Sequence, residues 1–167
     1  MRAFLFAGTL GLFLALPSWA EEDGNLLENA SFEAGAWPSL KSSEIDTSGK
    51  NAHTGQSAML LFNQAGKDDW STFQARVKDI EPGRTYRFAL YAKGSAGIPC
   101  KMKIHWTVPG ESDVVSKLER KFEGEDFELF EIITDAPVSA TDARLFVENW
   151  TTGADVWIDD LYFGPVN

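Results

Sequence analysis

The sequence has few of the side chains that build metal centres or covalent cross-links. Its 167 residues include one cysteine, Cys100, and two histidines, His53 and His105. A single cysteine excludes an intrachain disulfide, so the fold depends on its hydrophobic core. A zinc site needs several thiolate or imidazole ligands, and this chain has too few of them to build one.

Positive charge is also scarce. Lysine and arginine number 15 against 25 aspartates and glutamates, which gives a formal net charge of −10. A chain this acidic repels the phosphate backbone of nucleic acids, so we expect no nucleic-acid partner. Neutral glycans, a cell wall and another protein remain open as partners.

Long apolar segments are absent after the N-terminus. Met1–Ala20 has a positive residue, an apolar stretch of about 14 residues and a small-residue end, which is the order of a secretory signal peptide. That stretch is short of the roughly 20 residues that a membrane-spanning helix needs. The sequence therefore predicts a secreted or periplasmic protein whose mature chain begins near Glu21, with no membrane span after cleavage. The alternative is a retained N-terminal anchor.

Short segments of alternating apolar and polar residues fill the mature chain, residues 21–167. The clearest is Thr85–Lys93, with Phe88 on one face and Arg87 and Tyr91 on the other. A period of two is typical of a half-buried strand. Strands that recur without helices predict an all-β fold, and the uniform composition predicts a single domain.

Further segments share this pattern, and we expect about eight to ten strands in two antiparallel sheets. Phe88 and Trp106 fall on the apolar side of their strands and are predicted to lie in the core. Trp37 is predicted to have a structural role near the start of the domain. The additional strands are predicted at Ala58–Phe62, Thr72–Val77, Lys101–Val108, Phe127–Thr134, Ala143–Asn149 and Val156–Phe163.

Four stretches, taken in order, carry a resemblance to a known family. They read NLLENASFE at Asn25–Glu33, HTGQSAMLL at His53–Leu61, PGRTY at Pro82–Tyr86 and VWIDDL at Val156–Leu161. They resemble the bacterial cellulose-, xylan- and glucan-binding jelly-roll modules, carbohydrate-binding-module families four, nine and twenty-two. The resemblance implies an antiparallel, galactose-binding-like jelly-roll β-sandwich that binds a polysaccharide or oligosaccharide without catalysis. Ala30 departs from the family pattern, which has glycine there, so this turn lacks a residue free to take positive φ.

The same resemblance implies a structural calcium ion. Its ligands would be Glu33 near the start of the chain and Asp159 or Asp160 near its end, helped by backbone carbonyls. Calcium prefers six to eight oxygen ligands, which carboxylates and carbonyls supply. The alternative is that these acids are turn caps or solvated surface groups.

A glycan site needs aromatic rings that stack on sugar rings and polar groups that bind hydroxyls. Tyr91 and Phe146 are aromatic residues on the polar side of alternating segments, and Trp70 and Trp150 lie in turn-like sequence. The alternative for each is that it is an ordinary surface residue or covers the edge of a sheet. The sequence predicts one polar sheet face that binds a β-linked polysaccharide or oligosaccharide, formed by Tyr91, Phe146, Gln74, Arg87, His105 and Glu148 and flanked by Trp70 and Trp150.

Two other functions remain open. The fold could serve a protein-interaction or structural module of the cell envelope, because fold does not fix function. A small polysaccharide lyase or hydrolase is the second, since Tyr91, His105 and Arg87 could supply a base and a neutralising cation. No catalytic motif appears in the sequence, so we expect a protein that is not an enzyme.

Overall fold

The computed structural model describes residues 24–35, 37, 42–63 and 70–166. The predicted signal peptide, Met1–Ala20, lies outside these residues. Within the described ranges the chain has no helix, and therefore no helix long and apolar enough to cross a membrane. The nine strands found there are β1 Ser43–Asp46, β2 Ala58–Phe62, β3 Ser71–Lys78, β4 Thr85–Gly94, β5 Pro99–Thr107, β6 Val114–Lys121, β7 Glu128–Asp135, β8 Asp142–Asn149 and β9 Asp155–Pro165.

The strands form two antiparallel sheets that pack face to face. One sheet has five strands in the order β1-β2-β9-β4-β7, and the other has four in the order β3-β8-β5-β6. The chain crosses between the sheets after β2, β3, β4, β6, β7 and β8. The predicted antiparallel jelly-roll sandwich of two sheets is confirmed.

The core lies between the sheets and is rich in aromatic rings. Phe88 of β4 and Trp106 of β5 are fully buried, as their strand phases predict. Tyr86 connects them to β9, because its ring stacks on Phe163 with centroids 5.3 Å apart and lies 5.7 Å from the Trp106 ring. Each fully buried side chain of this size stabilises the fold by roughly 1.5–3 kcal/mol.

The N-terminal segment closes one end of the sandwich. The backbone N–H of Leu26 donates to the carbonyl of Phe163 in β9, at 2.7 Å. The Asn25 amide donates to the Leu161 carbonyl at 2.9 Å and accepts from the Phe163 N–H at 3.1 Å. Phe32 is completely buried in the core. This segment is therefore part of the folded unit.

In the first turn, the neighbours of Ala30 take the positive φ values that a glycine at that position would have allowed. Asn29 and Phe32 take positive φ values of 50° and 60°. The Asn29 side chain closes the turn, since its oxygen accepts from the Ala34 N–H at 2.8 Å and its amide donates to the Gly35 carbonyl at 3.1 Å. Asparagine tolerates the left-handed region better than most residues.

Trp37 joins the N-terminal segment to the edge of the four-stranded sheet. Its indole N–H donates to the backbone carbonyl of Gln74 in β3 at 2.9 Å. Its ring packs on Phe73, with centroids 5.1 Å apart, and on Phe32, at 5.9 Å. The structural role predicted for Trp37 is confirmed.

Candidate functional site

The outward side chains of β3, β8, β5 and β6 form a surface that we call the four-stranded face. At its centre Phe146 of β8 lies between Gln74 of β3 and Lys103 of β5, and Lys103 lies opposite Lys117 of β6. Phe146 is half-buried, and its ring lies 4.8 Å from the His105 ring. An aromatic side chain thus sits among polar neighbours on the outside of the sheet.

A second aromatic surface lies at one end of this face. Trp70 precedes β3 and Trp150 follows β8, and their rings stack with centroids 5.6 Å apart and planes 15° from parallel. Trp150 is 42% exposed. Its indole N–H donates to Glu148 at 2.8 Å, which fixes the orientation of the ring. The Trp70–Trp150 pair is therefore a rigid and partly exposed platform.

Glu148 organises the polar groups around that platform. Its carboxylate is almost completely buried and forms an ion pair with the Lys103 ammonium at 2.7 Å. The ammonium groups of Lys101 and Lys103 lie 5.3 and 5.9 Å from the Trp150 ring centroid, within cation–π range. Glu148 is thus already bonded to two side chains and holds the platform in place.

A cationic row crosses three strands beside Phe146. Arg76 of β3 lies opposite Arg144 of β8, which in turn lies opposite His105 of β5. Arg76 pairs with Asp142 at 3.1 Å, and Arg144 pairs with Asp113. Burial, and after it the charge of Arg144, lowers the pKa of His105. The hydrogen bond from Arg76 lowers the pKa of Asp142.

A groove of about 850 Å³ runs from this row to the edge of the sheet. The N-terminal segment forms one wall with Leu26 and Glu28, and β3 and β8 form the other with Arg76, Arg144 and Phe146. The groove is open to solvent along the face, so an extended ligand could lie in it.

Two of the predicted site residues do not belong to this face. Tyr91 and Arg87 are in β4 of the five-stranded sheet, on the opposite side of the sandwich. The His53 ring covers Tyr91, with centroids 3.7 Å apart and planes 14° from parallel. Arg87 pairs with Glu131 at 3.0 Å. The prediction that all six residues share one sheet face is therefore wrong, because alternation shows which side of its strand a residue occupies but not which sheet the strand joins.

The remaining predicted residues do come together. Gln74, His105, Phe146 and Glu148 lie on the four-stranded face, and Trp70 and Trp150 flank it as the sequence predicted. Sequence reasoning missed Lys101 as a member of the platform. Its alternation with Lys103 and His105 was the available signal.

The acids predicted to bind calcium meet at one loop, residues 53–57. Asp159 accepts hydrogen bonds from the backbone N–H groups of His53 and Thr54, at 2.8 and 3.1 Å, and from that of Asp160 at 2.7 Å. Glu33 accepts from the N–H groups of Gln56 and Ser57, at 2.8 and 2.7 Å. These donors would repel a cation from the oxygens they occupy.

Side chains add to these hydrogen bonds between the acids and the loop, which together we call the hydrogen-bonded clasp. Asp160 bonds the His53 ring at 2.7 Å and the Thr54 hydroxyl at 2.8 Å. Burial, followed by the Asp160 charge, raises the pKa of Asp159 to about 7. The described part of the chain holds no group of three or more acidic, histidine or cysteine side chains placed to hold a metal. These acids are held by hydrogen bonds in this arrangement, and calcium binding stays an untested prediction.

Residues 24–154 match the family model of a carbohydrate binding domain that covers families 4 and 9. The chain belongs to this family. No curated protein matches it in sequence. The resemblance found in the four sequence motifs is confirmed for this carbohydrate-binding module.

Solved structures share the fold of the module at low sequence identity. A C-terminal family 22 carbohydrate-binding module of Clostridium thermocellum Xyn10B is 20% identical over 87% of this chain and 95% of its own, with a TM-score of 0.65. A family 16 carbohydrate-binding module is 15% identical over 83% of this chain and 99% of its own, with a TM-score of 0.66.

One structural match comes from a larger protein. The enzymatically active domain of tailspike protein 4 from bacteriophage CBA120 is 15% identical over 85% of this chain, with a TM-score of 0.68. This chain spans only 21% of the tailspike chain. The match therefore concerns the fold of one part of that protein.

Proposed function

We propose that the four-stranded face binds a polysaccharide or oligosaccharide and does not cleave it. The observation that carries this proposal is the pair of aromatic surfaces, Phe146 and the Trp70–Trp150 platform, on the polar exterior of a carbohydrate-binding module. Aromatic side chains that serve only the core would face inward, as Trp106 does.

The distribution of polar groups supports the same role. Sugar rings present apolar C–H faces that stack on aromatic rings, while their hydroxyls need donors and acceptors at the ring edge. Gln74 and Lys103 lie directly on either side of Phe146, and His105 contacts its ring. A sugar stacked on Phe146 would therefore meet hydrogen-bonding groups on three sides.

The carboxylates of this face have other partners, which favours binding over hydrolysis. Glycoside hydrolysis uses two carboxyl groups, one of which must hold a proton for the leaving group. Glu148 is bonded to Lys103 and Trp150, and Asp142 is bonded to Arg76. The hydrogen bond from Arg76 lowers the pKa of Asp142, which opposes the role of a general acid for that group.

Affinity electrophoresis in gels that contain soluble polysaccharides tests the proposal. We expect Phe146→Ala and Trp150→Ala to weaken retardation about tenfold or more, because each substitution removes an aromatic ring on which a sugar ring would stack, and a loss of about 1.4 kcal/mol is tenfold in affinity. Ile133→Ala is the matched control, since Ile133 is an exposed apolar residue, 57% accessible, on the opposite sheet. Equal retardation of all variants, or no retardation of the parent protein by any polysaccharide, would contradict the proposal.

We also infer that the module acts outside the cytoplasm. The inference rests on the signal-peptide pattern of Met1–Ala20, which precedes the described residues. Expression of the full chain in a Gram-negative host, followed by N-terminal sequencing of the periplasmic fraction, tests it. We expect the chain to begin at Glu21, and an uncleaved cytoplasmic product would contradict this expectation.

A further inference from the structure

Positive charge is concentrated on one side of this acidic molecule. The strands of the four-stranded face carry three outward carboxylates, Glu119, Asp142 and Glu148. Two more carboxylates, Asp113 and Glu28, lie at the margins of the face. The cations outnumber these acids although the whole chain has a net charge of −10. The outward cations are Arg76, Lys78, Arg144, Lys101, Lys103, Lys117 and Lys121.

The opposite surface has the reverse balance. The outer side of the five-stranded sheet carries Arg87 and Lys93 as its cations. Its outward acids are more numerous, and they are Glu44, Asp46, Glu131, Asp135 and Asp155. The sandwich therefore has one acidic face, and its basic face is the one that bears the aromatic platforms.

Ion pairs leave part of this positive charge available. Arg76 and Arg144 have side chains 56% and 45% exposed even though each contacts a carboxylate. Lys117 is exposed and lies directly opposite Lys103. Like charges opposite each other in an antiparallel pair destabilise the sheet. An anion bound between these cations would relieve that repulsion.

The positions of the cations match the proposed stacking surfaces. Arg144 is two residues before Phe146 on the same face, and Arg76, opposite Arg144, is two residues after Gln74 on the adjacent strand. Arg76, Arg144 and Phe146 all line the groove beside β3. A sugar ring on Phe146 would place a substituent of that ring, or of its neighbour, at the two guanidinium groups.

We propose that the ligand of this face is an anionic glycan, whose carboxylate or sulfate groups bind Arg76, Arg144 and Lys103 while its rings stack on Phe146 and Trp150. The proposal deepens the proposed function and rests on it. Guanidinium groups bind carboxylate and sulfate oxygens through paired, charge-assisted hydrogen bonds. Each of these three cations already contacts one carboxylate, and a neutral glycan would add no negative charge to a face on which cations still outnumber acids.

The test compares polysaccharides that share a backbone and differ in charge. Biolayer interferometry at about pH 7, where uronates are ionised, would use polygalacturonate against its carboxyl-reduced form and carboxymethyl cellulose against hydroxyethyl cellulose. Cellulose sulfate against hydroxyethyl cellulose, and chondroitin sulfate against desulfated chondroitin, separate sulfate from carboxylate recognition. In at least one pair we expect the more highly charged member to bind about tenfold or more tightly, because charge-assisted hydrogen bonds contribute about 1.5–3 kcal/mol each.

Variants then place the effect on this face. We expect the double substitution Arg76→Gln and Arg144→Gln to lose most of the preference for the anionic member while it retains binding through the aromatic rings. Arg84→Gln with Lys50→Gln removes the same charge from a turn and a loop outside the face, and it should leave the preference unchanged. Raising NaCl from about 0.1 to about 1 M should also reduce the preference, since the Debye length falls from about 10 to about 3 Å.

The outcomes separate this inference from the proposed function. If the less charged member of every pair binds as tightly as the more charged one, the inference is overturned and the proposed function stands. If no member of any pair binds, both fail. Duplex DNA bound as tightly as the best glycan would show general polyanion binding and would also overturn the inference.

Discussion

At the scale of single residues, the environment of His105 reports the electrostatics of the four-stranded face. The ring is half-buried against Phe146, with Arg144 on the neighbouring strand and Asp113 3.8 Å away. Burial and Arg144 lower its pKa, while Asp113 acts in the opposite direction. A titration of this one group therefore measures the charge around the candidate site.

We expect Arg144→Gln to raise the pKa of His105 toward its ordinary value of 6.5, because the substitution removes a nearby positive charge. Asp113→Asn is the opposing control and should lower the pKa further, since it removes the carboxylate that favours the protonated ring. NMR titration of the ring C–H signals measures both, with His105→Gln for assignment. Identical titrations in all the proteins would show that Arg144 does not act on His105.

The lowered pKa also predicts how stability depends on pH. The unfolded chain binds a proton at His105 more readily than the folded chain does, so this group favours unfolding as the pH falls below about 6.5. Its contribution to the free energy of unfolding is full above that pH and is lost as the pH falls. We expect urea denaturation to show a smaller loss of stability between about pH 7 and pH 5 for His105→Gln than for the parent protein.

Gly164 permits the N-terminal segment to lie against β9. A Cβ atom at this position would clash with the carbonyl of Gly24 and lie 2.7 Å from the Tyr162 hydroxyl. We expect Gly164→Ala to lower the free energy of unfolding by about 1–3 kcal/mol, as overpacking does. Gly124→Ala is the matched control, because no atom lies within 4 Å of its added Cβ. Equal stability of the two variants by chemical denaturation would contradict this account.

At the scale of elements, the strands with regular alternation were predictable and the weakly patterned ones were not. The seven segments predicted from the sequence all lie within or overlap observed strands. The strands β1 and β6 were missed. Most outward positions of β6 are charged, and its inward residues Ser116, Leu118 and Arg120 are only half-buried. An edge strand of this kind lacks the apolar periodicity that identifies a central one.

The loop at residues 53–57 shows how one element depends on two distant ones. Its backbone N–H groups are held by Glu33 from the N-terminal segment and by Asp159 from β9. Gly55 takes a positive φ of 63°, and an added Cβ would clash with the Glu33 carboxylate. The convergence of the three acids agrees with the sequence, but the partners they meet are hydrogen-bond donors.

We expect EDTA to leave the thermal midpoint of the protein unchanged, because Glu33, Asp159 and Asp160 bind this loop through hydrogen bonds. A structural calcium ion at about a hundred times its Kd would instead stabilise the fold by about 2.7 kcal/mol and raise the midpoint by several degrees. Scanning calorimetry with EDTA and with added CaCl₂ distinguishes the two. A rise with CaCl₂ that MgCl₂ does not reproduce would support the calcium site and contradict the hydrogen-bonded clasp.

At the scale of the whole molecule, stability comes from one core without covalent cross-links. Cys100 is fully buried between the sheets, and burial raises the pKa of its thiol to about 12. The thiolate is the reactive form, so a buried thiol with a raised pKa is inert. Reagents should reach Cys100 only when the sandwich opens.

We expect Cys100 to react with Ellman's reagent at the rate of global unfolding. At about pH 8 the raised pKa keeps the thiol protonated in the folded protein, and burial shields it from the reagent. A variant with Ser112→Cys provides the control, because residue 112 lies in an exposed turn and its thiol should react within seconds. Labelling of native Cys100 as fast as that of the added cysteine would show that the core opens locally.

The sequence by itself determined the fold class, the family and most of the strands, because alternation and turn residues are local properties of the chain. It also identified Phe146, Trp70 and Trp150 as aromatic residues outside the core. Only the tertiary structure decided that these three share the four-stranded face with Arg76 and Arg144, while Tyr91 and Arg87 lie on the opposite sheet. The physical reason is that strand order depends on pairings between distant segments, which the period of a single strand does not encode. The concentration of positive charge on one face of an acidic chain is likewise a product of that pairing, and no overall composition could have shown it.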